Sequence, residues 1–192
     1  MNTKLLSGNE KFTYSLTPPE KTLKDFWAWN SSDLLNNTLR GALAEYIVAM
    51  ALGIEFTYAR EDWSEYDLLT NDGIRVEVKC SAYLQSWEQN KLSEIRFGCG
   101  PSQAFVNQQY DGAPIRHSDI YVFCVFECKD IETADVLNLN QWTFYILPTN
   151  VLNEKLGLQK TISLNSLLNL CPAKALFHEI DSAIHKLIGK IL

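Results

Sequence analysis

Four side chains in this sequence have the types and spacing that phosphodiester chemistry requires: Glu45, Asp67, Glu77 and Lys79. The last three lie in two β-type runs joined by Asn71-Asp72-Gly73, which predicts a hairpin with a three-residue loop and Gly73 in the left-handed position. Thr70 then faces Ile74, and counting back sets Leu68 opposite Val76, Asp67 opposite Glu77 and Tyr66 opposite Val78. Side chains alternate faces with period two, so Arg75, Glu77 and Lys79 share a face with Asp67, while Val76 and Val78 share the other with Tyr66 and Leu68. Two carboxylates opposed across a hairpin repel each other, and their juxtaposition needs a compensating cation. Mg²⁺ is the expected one, a hard ion that takes one or two carboxylates and keeps waters and phosphate oxygens; Mn²⁺ is expected to substitute. Lys79, one pleat further on, is placed to hold a water or a phosphate oxygen beside that ion.

The elements that must position these groups begin upstream. Leu39, Leu43, Tyr46, Ile47, Met50 and Ile54 recur at helical spacing, and Gly53 is a natural stop. From Gly41 to Ile54, Glu45 is the only charged residue, set among Gly41, Ala42, Ala44, Ala49 and Ala51, which let a helix lie close against a sheet. A lone carboxylate there is expensive to bury unless it is paired or points at an ion. Taken singly, the strand residues also fit a solvated strand face and Glu45 a polar helix stripe. Their coincidence favours a site.

Glu45 in a helix, then Tyr66-Asp67, then Glu77-Val78-Lys79 resembles the PD-(D/E)xK nuclease superfamily, which includes restriction endonucleases, Holliday-junction resolvases and repair nucleases. The likeness covers roughly residues 35 to 130, with Tyr66 in place of the proline of the motif; Glu77 to Trp87 also resembles a group of bacterial proteins of that fold. The resemblance implies that Asp67 and Glu77 hold the metal with the Val78 carbonyl. It further implies that Lys79 orients the attacking water and that Glu45 reaches the metal through water.

Composition bounds these expectations. At 192 residues, 46% hydrophobic, the chain suits one domain with a full core, spanning residues 1–192. Tyr46 to Ile54, the longest uncharged apolar stretch, is too short to cross a bilayer, and the first ten residues lack a secretory apolar core, so a cytoplasmic protein without a membrane partner is expected. Five cysteines without a C-x-x-C pair argue against a disulfide framework or a zinc ribbon, and read as small buried hydrophobes. Cys124 and Cys128, four apart on one strand, stand roughly 13 Å apart, too far to share a metal. His117, His178 and His185 are isolated in the sequence.

A net charge of −6 argues mildly against a nucleic-acid partner unless positive charge is concentrated in one cleft. Arg75, Arg96 and Arg116 are the expected phosphate contacts, each otherwise an ordinary surface base. Residues 81 to 116 are rich in amides, Gln85 among them, with one aromatic, Trp87; any one of these fits a polar loop beside a sheet, but as a group they are where the substrate groove is expected, with side chains that read base edges or stack on a base.

Along the chain, a helix is expected from Thr17 through Trp29, and Ser31 to Asp33 are expected to cap the helix carrying Glu45. Strands are expected at Glu94–Cys99, at Ile120–Phe126 with both faces covered, and at Thr143–Leu147. A short helix is expected at Pro101–Gln109, another from Thr149, and a last one over 173–191. This order predicts an α/β fold, a three-layer α/β/α arrangement with a mixed central sheet, restriction-endonuclease-like. The expected function is a Mg²⁺-dependent endonuclease hydrolysing DNA, restriction-type, acting on duplex as a homodimer. The alternatives are a Holliday-junction resolvase or repair nuclease on branched DNA, an inactive binding module of the same fold, or a structural domain in which Glu77 pairs with Lys79 or Arg75 and needs no ion.

Overall fold

The computed structural model of the protein describes residues 3–61, 64–106 and 109–189. Helices α1 (Leu23–Ser31) and α2 (Asn37–Ala51) come first, followed by strands β1 (Leu68–Leu69), β2 (Arg75–Ala82), β3 (Arg96–Gly98), β4 (Ser102–Val106), β5 (Gln109–Ile115) and β6 (Ile120–Phe126). Then come β7 (Trp142–Pro148), α3 (Thr149–Leu156), β8 (Thr161–Ser163), α4 (Leu164–Leu168), β9 (Ala173–Ala175) and α5 (Ile180–Ile188).

The main sheet has five strands in the order β1-β2-β6-β7-β9. It is mixed, because β2 runs parallel to β6 while the other neighbours are antiparallel. Every residue of β6 is buried, as its unbroken apolar run requires of a strand covered on both faces. On one face Val76, Val78, Val122, Cys124 and Ile146 pack against Ala44, Ile47 and Val48 of α2 and Ile184 of α5. On the other, Tyr121, Phe123, Val125, Tyr145 and Leu147 pack against Phe97, Leu152, Ile162 and Leu167. Helices α3 and α4 and the β3–β8 ribbon thus form the third layer of the α/β arrangement the sequence predicts.

Several local expectations change. Thr22, not Thr17, precedes α1, and its hydroxyl and N–H are both held by Asp25. The α2 cap is Asn36, whose side chain accepts from the N–H groups of Thr38 and Leu39, so the Ser31–Asp33 cap fails by a few residues. The helix expected at Pro101–Gln109 is instead β4, paired antiparallel with β5; residues 107 and 108 lie outside the described residues. That stretch has amides but no apolar helical stripe, and pairing with the following strand satisfies its backbone. The helix expected over 173–191 starts late, because residues 173–175 extend the sheet along β7 before α5 begins; residues 190 and 191 lie outside the described residues. Cys99 and Cys124 are buried as expected, but Cys171 is exposed; all five thiols are free. His185 is not isolated: its Nε2 lies 3.1 Å from Asp72, tying α5 to the hairpin turn. Among the described residues no helix is long and apolar enough to cross a membrane.

Candidate active site at the edge of the sheet

The hairpin forms in the expected register, with Leu68 opposite Val76 and Leu69 opposite Arg75. Its turn closes through Thr70: the Thr70 N–H donates to the Ile74 carbonyl at 3.0 Å, the Ile74 N–H to the Thr70 hydroxyl at 2.8 Å, and Gly73 takes φ +88°. Backbone pairing reaches Asp67, whose N–H donates to the Val76 carbonyl at 3.2 Å, and stops there. The Val78 N–H is taken not by the Tyr66 backbone but by Asp67 Oδ2, at 2.7 Å. In a strand the N–H and C=O of one residue point to the same side, so the Val78 carbonyl faces the edge that β1 no longer covers.

On this open edge Asp67, Glu77 and Lys79 converge. Lys79 Nζ lies 2.5 Å from Glu77 Oε1 and 4.0 Å from Asp67 Oδ2. Burial pushes the Asp67 carboxyl up to about 6, and the charges of Glu77 and Glu45 add to the rise; Lys79 and the Val78 N–H offset only part of it. Burial by itself would lower the Lys79 ammonium, but the charges of Glu77 and Asp67 outweigh it and the net shift is upward. Lys79 therefore stays protonated at neutral pH and acts as a donor. The Glu77–Lys79 pair matches what a purely structural strand face would show. Asp67 is different: a single lysine serves both carboxylates, and Asp67 is the one left under-neutralised.

Other residues complete the site. Ser118, buried ahead of β6, donates its hydroxyl to Glu77 Oε2 at 2.9 Å. Tyr121 lies beside Glu77 in the parallel register, and burial together with the Glu77 charge pushes its phenol up. Glu45 approaches from α2 and lines the same pocket as Asp67. Its carboxylate is held by Arg60 in a bidentate pair, Nε to Oε2 at 2.5 Å and Nη2 to Oε1 at 2.8 Å. Neither Ser118 nor the Arg60 pairing was legible in the sequence, since both depend on contacts between distant segments.

Each of the expected nucleic-acid contacts has a partner within the protein. Arg75 shares the strand face of Glu77 but forms an ion pair with Asp119, Nη2 to Oδ1 at 2.6 Å. Arg96 is largely exposed on β3 and pairs with Glu94 at 3.3 Å. The Gln85 amide donates to the Ala82 carbonyl at 3.1 Å and accepts from Arg40 at 3.4 Å. Arg116 is no surface base: it is 8% exposed, and donates to the Cys99 carbonyl at 2.7 Å and to Asn153 at 2.8 Å.

The oxygen groups that would hold an ion here are the carboxylates of Asp67 and Glu77 and the carbonyl of Val78, the residue whose N–H Asp67 accepts. Among the described residues no group of three or more His, Cys, Asp or Glu side chains forms a metal-ligand set. An oxygen set of this kind, completed by water and phosphate, suits a hard divalent ion that keeps part of its hydration, and the surplus negative charge at Asp67 fits such an ion.

The five-stranded mixed sheet with its flanking helices is consistent with an α/β nuclease-like fold, and two acids and a lysine meet at its open edge. A family model described as bacteriophage T4 endonuclease IV matches residues 18–166, and the chain belongs to that endonuclease family. The matched span contains Glu45, Asp67, Glu77, Lys79 and Ser118. Among curated proteins no match is found.

Proposed function

We propose that this protein is a Mg²⁺-dependent endonuclease of the PD-(D/E)xK type that hydrolyses DNA phosphodiester bonds, with duplex DNA as its restriction-type substrate. The observation that carries this reading is the convergence of Asp67, Glu77 and Lys79 at an edge where one lysine serves two acids. Membership of an endonuclease family supports it.

Asp67, Glu77 and the Val78 carbonyl are the groups that would hold the ion. When bound, Mg²⁺ supplies Lewis-acid polarisation of the phosphate and lowers the pKa of a coordinated water. Lys79, held protonated by its acidic neighbours, donates a hydrogen bond to the attacking water and so aims an oxygen lone pair at phosphorus; it does not take the proton. Attack forms a P–O bond in line with the P–O3′ bond that breaks; the attacking water gives its proton to solvent, and the departing 3′ oxygen takes one from a solvent water to leave as the hydroxyl. Ser118 fixes the Glu77 carboxylate from the side opposite Lys79, holding both oxygens in place. Glu45, anchored by Arg60, adds negative charge behind Asp67 and strengthens the demand for a cation.

The test is incubation with supercoiled plasmid, linear duplex, single strand and a four-way junction, each with Mg²⁺, Mn²⁺ or chelator. Cleavage of plasmid and duplex with either ion, abolished by chelator, is the expected result. Preferential cutting of the junction would reassign the substrate to branched DNA, and cutting in chelator would remove the metal from the reading.

A further inference from the structure

A pocket of about 860 Å³ opens beside Asp67, between α2 and residues 54–61. Tyr46 and Phe56 line it as a stacked pair, centroids 5.8 Å apart and ring planes 19° from parallel, with Tyr58 alongside. The three rings are 52%, 41% and 50% exposed, a cluster of flat apolar surface that the fold leaves in water next to the catalytic carboxylate.

The charge of the lining decides what the pocket can take. Glu45, Glu55, Glu61 and Asp67 line it, and the one base among the described lining residues, Arg60, is held by Glu45. Such a wall repels a phosphate and tolerates a neutral, flat, polar-edged ring. Asp67 belongs both to this wall and to the catalytic cluster, so a ring seated here is attached to a nucleotide flanking the phosphate under attack. Aromatic side chains hold bases by stacking whatever their sequence, because every base has a π-face.

We propose that the Tyr46–Phe56–Tyr58 pocket is a subsite for one unpaired nucleobase of the strand being cut, which the protein receives out of its stack next to the scissile phosphate. This rests on the DNA-endonuclease reading and adds to it a requirement for local unstacking, whether in a flexible strand or by extrusion from a duplex.

The test uses oligonucleotides in which an abasic residue is stepped through the positions around a mapped cut. In the wild type, an abasic residue at the seated position is expected to slow cleavage roughly tenfold, the worth of one stacked base, while neighbouring positions have little effect. In Tyr46→Leu and Phe56→Leu, which keep apolar bulk without the ring, intact strands are expected to be cut about as slowly as the abasic one, and the abasic penalty to vanish. A second readout needs no turnover: in Ca²⁺, 2-aminopurine at the seated position is expected to be quenched on binding the wild type and the Trp29→Ala control, and less so on binding the two ring variants. An abasic penalty of unchanged size in the variants, or quenching that is the same with and without the rings, would overturn the subsite. If the protein cuts no DNA at all, the endonuclease reading fails by itself, and 2-aminopurine stepped through every position of a bound strand in Ca²⁺ still decides the pocket: quenching at one position that the two ring variants lose keeps the subsite, and quenching at none overturns it.

Discussion

The Asp67 carboxylate accepts the backbone N–H of Val78 at 2.7 Å, where a strand neighbour would otherwise have bound it. This side-chain substitution for a backbone partner ends β1, exposes the Val78 edge and holds Asp67 within reach of Lys79. The price is a carboxylate in a partly buried, negatively charged place, and that has a measurable signature.

Asp67 has a folded-state pKa of about 6 against an ordinary value of 3.8. The native state therefore binds the proton more tightly than the unfolded chain, and stability falls as pH rises from about 4 through 6. Above that window the ionised Asp67 costs on the order of 2 kcal/mol in metal-free protein. Asp67→Asn keeps an oxygen for the Val78 N–H and removes the charge. In chelator it should be more stable than wild type at pH 8, and the gain should disappear near pH 4. Denaturant unfolding at the two pH values checks this; a variant less stable at pH 8 would show that Asp67 is a structural acid.

Hydrolysis should fall at least 100-fold in Asp67→Ala, Glu77→Ala and Lys79→Ala, with circular dichroism unchanged. The variants should differ in stability. Glu77→Ala strips Lys79 and Ser118 of their partner and should melt below Asp67→Ala in chelator. Plasmid nicking and thermal melts on the same preparations test both parts, and full activity in any one variant would remove that residue from the mechanism.

Ser118 acts through Glu77 and so should tune metal use rather than DNA affinity. Ser118→Ala is expected to raise the Mg²⁺ concentration for half-maximal cleavage by roughly 10-fold or more, with DNA binding in Ca²⁺ within a factor of two. A Mg²⁺ titration identical to wild type would leave Ser118 with only a packing role.

The arginines separate by burial. Arg116→Ala should cost roughly 2 kcal/mol or more of stability, because it leaves the Cys99 carbonyl and Asn153 without their donor. Arg96, largely exposed, should affect stability little. If a local basic surface binds DNA despite the net charge of −6, affinity in Ca²⁺ should fall steeply with salt, and Arg96→Ala should lessen that slope. A salt-independent affinity would point to a different substrate class.

The sequence by itself determined the hairpin and the side of it on which chemistry sits. A three-residue loop with glycine at its end leaves little freedom of register, so the placement of Asp67 beside Glu77 and Lys79 follows from residues within a dozen positions of one another. The apolar run of β6 likewise declares a strand covered on both faces. Only the tertiary structure decided the rest. Parallel pairing of β2 with β6 brings Ser118 to Glu77 across a long connection, and the packing of α2 against the sheet places Glu45 against Arg60 and leaves Tyr46 beside Phe56. Arg116 reads as a surface base because nothing local announces that the Cys99 carbonyl and Asn153 will enclose it. Residues 102–106 form a strand because β5 satisfies their backbone, a choice made by pairing rather than by the propensity of the segment. Local turn geometry can be counted from spacing, whereas these contacts exist only once burial of both sheet faces has drawn distant segments together.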